Sequence, residues 1–472
     1  MKQIVTSILA SSLLAALAMA QPPRYTITDL GAGATPFIIN NNGLIVGSLT
    51  AADGTSHAVV WEKGVLKDIS VPGLRGKNSS GFSLNESGMF VGQAETSTTE
   101  PNGEDFCGYK AYGSPTPGTT CVPFLWQGGV MTPLLTLGGR NGFALAISNQ
   151  RVVAGAAENT TRDLDCGSPQ QFQFKPVFWQ NGRVQELPTP PGDTTGAVFA
   201  MNDNGQMVGG AGPCRDFDPI TGTYFRQNHA LLWQNGQFTD LGNLGGGAGK
   251  SPFGNLAFGI NNQGQVVGHA NLKGEKISHA FLWTQALGMR DLGALPGDFN
   301  SNAVGINDKG EIVGLSADAE FNIRAVRWIN GVPIDLNTLV DGKSDLYLLL
   351  AGSINARGEI IGNAENSKGE AHGFVATPVA VTMAVASPKN LTVTARQITL
   401  DGTASISADG KPLTYQWSIP QGSPSASILQ GTTANPSIQF GQTHAIYIFQ
   451  LTVTDSAGKS SSDIVTVNFQ GN

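Results

Sequence analysis

"IINNNGLIVG", residues 38–47, sets three asparagines and a glycine between two apolar pairs. The phrase returns as "LNESGMFVG" (84–92), "MNDNGQMVG" (201–209), "INNQGQVVG" (260–268), "INDKGEIVG" (306–314) and "INARGEIIG" (354–362), with a worn copy, "ISNQRVVAG", at 147–155. An asparagine at the position of Asn40 bonds its side-chain oxygen to backbone two residues on, and a glycine at Gly43 takes the positive φ that closes a short hairpin. The repeated residues are therefore turn chemistry. The flanking runs are apolar on both faces, as in small sheets packed against neighbours on either side.

Each copy opens a longer unit. A variable stretch follows, then an apolar strand ending in tryptophan: "HAVVW" (57–61), "PFLW" (123–126), "PVFW" (176–179), "HALLW" (229–233), "HAFLW" (279–283) and "RAVRW" (324–328), with "HGFVA" (372–376) in the last unit. Six of the seven tryptophans occupy this slot. A second turn leads to a strand ending at Asp68, Asp240, Asp291 or Asp335. Each unit thus has four strands, a to d.

The anchors Ile39, Leu84, Ile147, Met201, Ile260, Ile306 and Ile354 are spaced by 45, 63, 54, 59, 46 and 48 residues, which suits four-stranded propeller blades with insertions. The seventh unit stops after "HGFVA" without a d strand, while "YTITDLG" (25–31) is a d strand with no blade before it. The expectation is an all-β chain: a seven-bladed β-propeller over 21–378, closed by its N-terminal strand so that no sheet edge stays open.

The unit "INxxGxxVG … HAFLW … NGxxxDLG" resembles the extracellular HAF repeat family, named for the tripeptide found at His279, Ala280 and Phe281. The resemblance covers about residues 25–376; unit 3 departs from it at Ser148 and Arg151, and unit 7 at Ala376. It implies export and a propeller-like fold, and carries over no catalytic residue.

Residues 379–472 contain no Glu and no Cys, and the repeats end. "ITLDGTAS" (398–405), "LTYQWSI" (413–419) and "IYIFQLTVTDSAGKSSSDIVTVNF" (446–469) alternate as strands with Gly and Asp turns, predicting a separate small immunoglobulin-like β-sandwich. "LDGTAS", Trp417 and "YIFQLTVTDSAG" make it similar to PKD modules, although W-x-F-G-D-G is absent.

Lys2, the apolar run after it and "AMA" ending at Ala20 read as a signal peptide over 1–20, cleaved near Ala20, so a secreted, cell-surface or periplasmic location is expected. No later stretch reaches the apolar length of a membrane span. With 61 glycines and 13% charged residues the composition favours turn-rich β structure. The net charge of -7 is spread thinly, without the basic cluster that a nucleic-acid partner requires. A monomer is expected.

In a four-stranded blade the a–b and c–d turns share one face, and here they are uniformly tight. The opposite face holds three long b–c loops in consecutive units, 93–122, 156–175 and 210–228. Long loops on a rigid scaffold are where binding concentrates. All four cysteines lie in them, and in an exported chain disulfides are the default reading. Cys107 with Cys121 and Cys166 with Cys214 need the least travel.

The same loops hold the candidate ligand contacts: Glu104, Asp105, Tyr109 and Tyr112 in the first, Asp163 and Asp165 in the second, Asp216, Asp218 and Tyr224 in the third. Alternate aspartates can offer oxygens to calcium, and tyrosines can stack on sugar rings. The plain reading is solvated carboxylates, since D-x-D-x-D-G is not met. Calcium is therefore a possible ligand, and no other cofactor is expected.

His57, His229, His279 and His372 recur at one slot, which points to a structural hydrogen bond to a neighbouring strand rather than catalysis. "LGGGAGKS" (244–251) lacks the first glycine of a phosphate-binding loop, and neither G-x-S-x-G nor H-E-x-x-H occurs. No catalytic residue is assigned. The reading favours a non-enzymatic binding or adhesion scaffold for surface glycan or protein. The alternatives are a polysaccharide hydrolase or lyase using loop-face carboxylates, and a structural surface or matrix component.

Overall fold

A computed structural model describes residues 23–471 apart from 71–73, 105, 110–117, 167–169, 215–227, 247–253, 275–276, 409 and 442–443. The expected signal peptide at 1–20 and residues 247–251 of the glycine-rich stretch lie outside the described residues. The chain divides into two compact units, Met1–Pro378 and Val379–Asn472. Both are all-β: the described residues include one 3-10 turn, Leu336–Leu339, but no α-helix and no sheet that closes on itself.

The first unit holds seven four-stranded antiparallel sheets. The first comprises Ala34–Ile39, Ile45–Thr50, Ser56–Glu62 and Val65–Asp68, which are its strands a to d. The next five run from Arg75–Leu84 to Val130–Pro133, Gly142–Ile147 to Arg183–Glu186, Thr195–Met201 to Gln237–Asp240, Leu256–Ile260 to Gly288–Asp291, and Asn300–Ile306 to Val332–Asp335. The seventh takes Leu346–Ile354, Ile360–Asn366 and Ala371–Pro378 from the end of the unit, and its fourth strand, Tyr25–Ala32, from the beginning. Tyr25 faces Pro378 and Ala32 faces His372 across this seam.

The sheets form a circular succession. Strand a of each packs on the sheet before it, and Ala34–Ile39 of the first packs on the seventh. Seven apolar cores lie between consecutive sheets, including one in which Ile39, Val59 and Trp61 of the first sheet meet Ile361 of the seventh.

The repeated asparagine does two things. Asn40 Oδ1 accepts from the backbone N–H of Asn42 and Leu44, both at 3.0 Å, closing its own turn. Its Nδ2 donates to the carbonyl of Asn85 in the next turn, 3.2 Å away. Asn85 reaches Ser148, Asn202 reaches Asn261, Asn261 reaches Asn307, Asn307 reaches Asn355, and Asn355 returns to Asn40 at 3.1 Å. In the worn third copy Ser148 has no amide to donate. There the link to the next turn rests on Asn149, whose backbone N–H and Nδ2 donate to the Asp203 carboxylate at 3.0 and 2.8 Å, a bridge that Asn262 also makes to Asp308.

A second regularity sits in strand a. In all seven sheets its register slips by one residue at the same place, passing over Phe37, Phe82, Leu145, Phe199, Phe258, Val304 and Gly352. These are β-bulges, which re-aim a side chain out of the ladder. The bulge also explains the glycine that ends each motif. A Cβ on Gly47, Gly268 or Gly362 would collide with the strand-a carbonyl of Thr35, Leu256 or Leu350, two residues before the bulged position.

The recurring histidine bonds the aspartate of the neighbouring d strand: His57 with Asp68 at 2.7 Å and His279 with Asp291 at 3.0 Å. His372 makes the same bond to Asp29 at 2.9 Å, across the seam. His229 turns instead to Asp193 at 2.7 Å. The seam is further held by Tyr25, which is fully buried, accepts on its carbonyl from Asp341 N–H at 2.7 Å, and meets Arg327 with its hydroxyl.

In the second unit Asn390–Val393, Ser460–Phe469, Ala445–Thr454 and Thr414–Ser418 form one sheet, and Gln397–Thr399, Ser437–Phe440 and Ala426–Leu429 a second. Trp417, Phe440, Tyr447, Phe449 and Phe469 fill its core, and Trp417 Nε1 donates to the Thr433 carbonyl at 3.2 Å.

Removal of residues 21–31 takes away most of the seventh sheet's fourth strand together with buried Tyr25, whose own loss is worth about 3–5 kcal/mol. This deletion is expected to lower the melting temperature far more than removal of 379–472; equal melting temperatures would contradict the seam.

Candidate functional site

The bulged residues line a common cavity of about 1080 Å³. Phe37, Phe82, Leu145, Phe199, Phe258, Val304 and Gly352 all border it, one from each sheet, and so do the seven anchors two positions later. All seven bulged residues keep part of their surface exposed. Phe37 and Phe82 of adjacent sheets meet edge to face at 5.0 Å, and Phe199 and Phe258 do the same at 5.3 Å. The collar is thus aromatic at four positions and open at Val304 and Gly352. Its sequence signal is a Phe, Leu or Val two residues before the anchor in six copies, which looks like an ordinary apolar strand position.

Of the three long connections, those of the second and third sheets border the same cavity. Both are less loop than expected: Phe90–Thr99 pairs with Thr119–Gln127, and Val153–Arg162 with Phe172–Gln180, so ladders extend into the stretches 93–122 and 156–175. Cys107 is bonded to Cys121 within the second unit's hairpin, and Cys166 to Cys214 between the third and fourth units, the pairs that needed the least travel. Phe106 packs on Phe143 and Phe174, both with centroids at 5.5 Å, and all three line the cavity beside Tyr109 and Gln170.

Two of the candidate contacts are buried, Glu104 within the hairpin packing and Tyr109 at the cavity wall. Glu104 is wholly buried, not surface-exposed. Its carboxyl accepts from Gln171 N–H at 2.7 Å, Phe172 N–H at 3.3 Å and Asn141 Nδ2 at 3.2 Å, tying the second hairpin to the third. Burial first, and then the neighbouring Glu158, push its pKa up to about 8. Glu158, also buried, accepts from Asn141 Nδ2 at 3.2 Å and Gln170 Nε2 at 3.0 Å. Tyr109 is likewise buried; its hydroxyl donates to Ser80 Oγ at 3.0 Å, and burial raises its pKa well above the ordinary phenol value. The physical reason is shared: partners distant in sequence satisfy these polar groups inside the hairpin packing.

Asp163 and Asp165 stay at least partly exposed, with Asp163 Oδ1 accepting from Asp165 N–H at 3.0 Å in a local turn. Asp163 lies beside Cys166 and Cys214, whose bonded sulfurs are not thiolate ligands. Asp105, Tyr112, Asp216, Asp218 and Tyr224 lie outside the described residues.

The second unit has counterparts among known proteins. A PKD domain family matches over residues 387–469. This stretch is a PKD domain. No curated protein matches the chain. A solution structure of the PKD domain from KIAA 1837 protein is 26% identical, covering 20% of this chain and 89% of its own, with a TM-score of 0.17. A nucleoside hydrolase-related protein of Saccharophagus degradans, associated with carbohydrate metabolism, is 24% identical over 18% of this chain at a TM-score of 0.17. The chain spans 25% of that protein's length. An extracellular domain from B. thetaiotaomicron, described as part of a one component system, is 8% identical over 92% of this chain and 85% of its own, with a TM-score of 0.18. At TM-scores this low none of the three bears on function.

Because the Glu104 pKa is raised in the fold, its contribution is complete below the ordinary carboxylate range and is lost as pH rises through about 8. The melting temperature should therefore fall between about pH 5 and about pH 9. Glu104→Gln, which keeps an acceptor and can donate to Glu158, should flatten that fall; an unchanged pH profile in the variant would contradict the assignment.

Proposed function

We propose that residues 25–378 are HAF-type repeats forming a seven-bladed β-propeller closed by its N-terminal strand, and that the chain is an exported, non-enzymatic binding scaffold for extracellular glycan or protein. The observation that carries this reading is the meeting of two consecutive elongated hairpins at one cavity, cross-braced by disulfides and by the buried Glu104. A rigid scaffold with its elaboration concentrated at one opening is the arrangement that ligand sites use. Two disulfides support an oxidising, extracytoplasmic location, which also fits the expected signal peptide. The PKD domain is then a spacer or second contact module.

The hydrolase or lyase alternative gains no support from the described acids. Glu100, Glu104 and Glu158 are all buried, so the acids nearest one another serve the hairpin packing. Calcium stays an ingredient of the test.

The test is a glycan and polysaccharide array with the mature protein, in calcium and in chelator. Beside it runs a variant in which residues 100–118 become a short Asn-Gly turn and Cys121 becomes serine; Thr99 and Thr119 already face one another, so the hairpin can close there. Binding by the native protein that falls in this variant, without release of cleaved sugar, is the expected result. Equal binding by both proteins, or cleavage products, would overturn the reading.

A further inference from the structure

The chemistry of the cavity narrows the ligand class. Among the described residues, not one Asp, Glu, Lys, Arg or His borders it. A charged ligand would lose its hydration there and meet no opposite charge, which is strongly unfavourable. A wholly apolar ligand fits no better: Asn78 and Gln93 are already bonded to Ser56, Glu95 and Cys107, but the lining also presents Asn302 and Asn363, whose amides would be sealed from water. Asn302 is already buried, and its Oδ1 has no hydrogen-bond partner.

The rings are unevenly placed, while amides come from the second sheet (Asn78, Gln93) as well as from the sixth and seventh. Phenyl rings at Phe37, Phe82, Phe199 and Phe258 come from the first, second, fourth and fifth sheets. The sixth and seventh sheets contribute the small residues Val304 and Gly352, and the amides of Asn302 and Asn363. Gly352 is small without needing to be. Its φ is not in the left-handed region, and an added Cβ would meet only the Ile361 carbonyl at 3.9 Å. Backbone sterics therefore do not call for glycine here, whereas the space it leaves in the collar does have a use.

We propose that this collar is a binding site for a neutral oligosaccharide, with its apolar ring faces on the phenylalanines and its hydroxyls toward the amides of the sixth and seventh sheets. A pyranose has this division, C–H faces with hydroxyl edges and no charge. A hydroxyl donating to Asn302 Oδ1 would satisfy an acceptor that is otherwise buried without a partner. The inference rests on the binding-scaffold reading and specifies its ligand and its seat.

The experiment is calorimetric titration of the mature protein with neutral gluco-, xylo- and manno-configured tetrasaccharides and with an acidic galacturonate tetrasaccharide. Phe258→Ala removes a stacking face. Gly352→Phe places in the seventh sheet the residue that four other sheets already carry, and fills the gap without backbone strain. At least one neutral tetrasaccharide should bind, the acidic one should not, and each variant should weaken binding by about tenfold or more while melting near the native temperature. If Phe258→Ala alone fails to fold, Gly352→Phe decides. The proposal is overturned if no neutral tetrasaccharide binds, if the acidic one binds as tightly, or if the folded collar variants bind normally. Binding that survives the collar variants but falls with the replaced hairpin overturns the collar and leaves the scaffold reading standing.

Discussion

One side-chain amide organises the first unit. In six of the seven a–b turns an asparagine accepts two backbone N–H groups from its own hairpin and donates to the next hairpin's carbonyl, so a local turn and a contact between sheets are made by the same residue. Substituting aspartate would keep the turn and lose the link. The third copy is the exception: Ser148 cannot donate from an amide, and the bridge from Asn149 to Asp203, which Asn262 also makes to Asp308, links it to the next turn's side chains. Asn355 reaches back to Asn40, so the last turn is tied to the first. The N-terminal strand completes the seventh sheet through both its ladder and the His372–Asp29 bond.

The bulge in strand a connects this scaffold to the shared cavity. An extra residue in each ladder presses a carbonyl against the motif's final glycine and turns one side chain into the shared cavity. Repetition therefore builds a collar of one residue per sheet, and its composition is free to vary because the bulge, not the side chain, is what the fold requires. Four phenylalanines and one glycine in equivalent places make a collar with a face and a gap. The disulfide-braced hairpins border the same space, so the elaborated connections and the collar belong to one site.

The four-stranded units, their turns, the displaced d strand and the cysteine pairs were legible in the sequence because each depends on residues close together or on repetition. The structural role of the recurring histidines was legible for the same reason, although not their partner, the aspartate of the d strand. The burial of Glu104 and Tyr109 was not legible, because acids and tyrosines in a variable loop look exposed. Their burial is set by Asn141, Gln171 and Ser80, distant segments whose approach no local pattern announces. The collar was hidden differently: Phe37 and its equivalents read as ordinary strand residues, and only the slipped register sends them into the cavity.

The account depends most on the first unit being closed by its own beginning. Thr26 and Thr377 stand opposite each other across the seam. A variant with cysteine at both positions, purified under native conditions and digested without reduction, tests this directly by peptide mass spectrometry. The account predicts a disulfide joining residues 26 and 377 within one molecule, alongside the two native bridges. Free thiols at these positions, or a linkage found only between molecules, would contradict it.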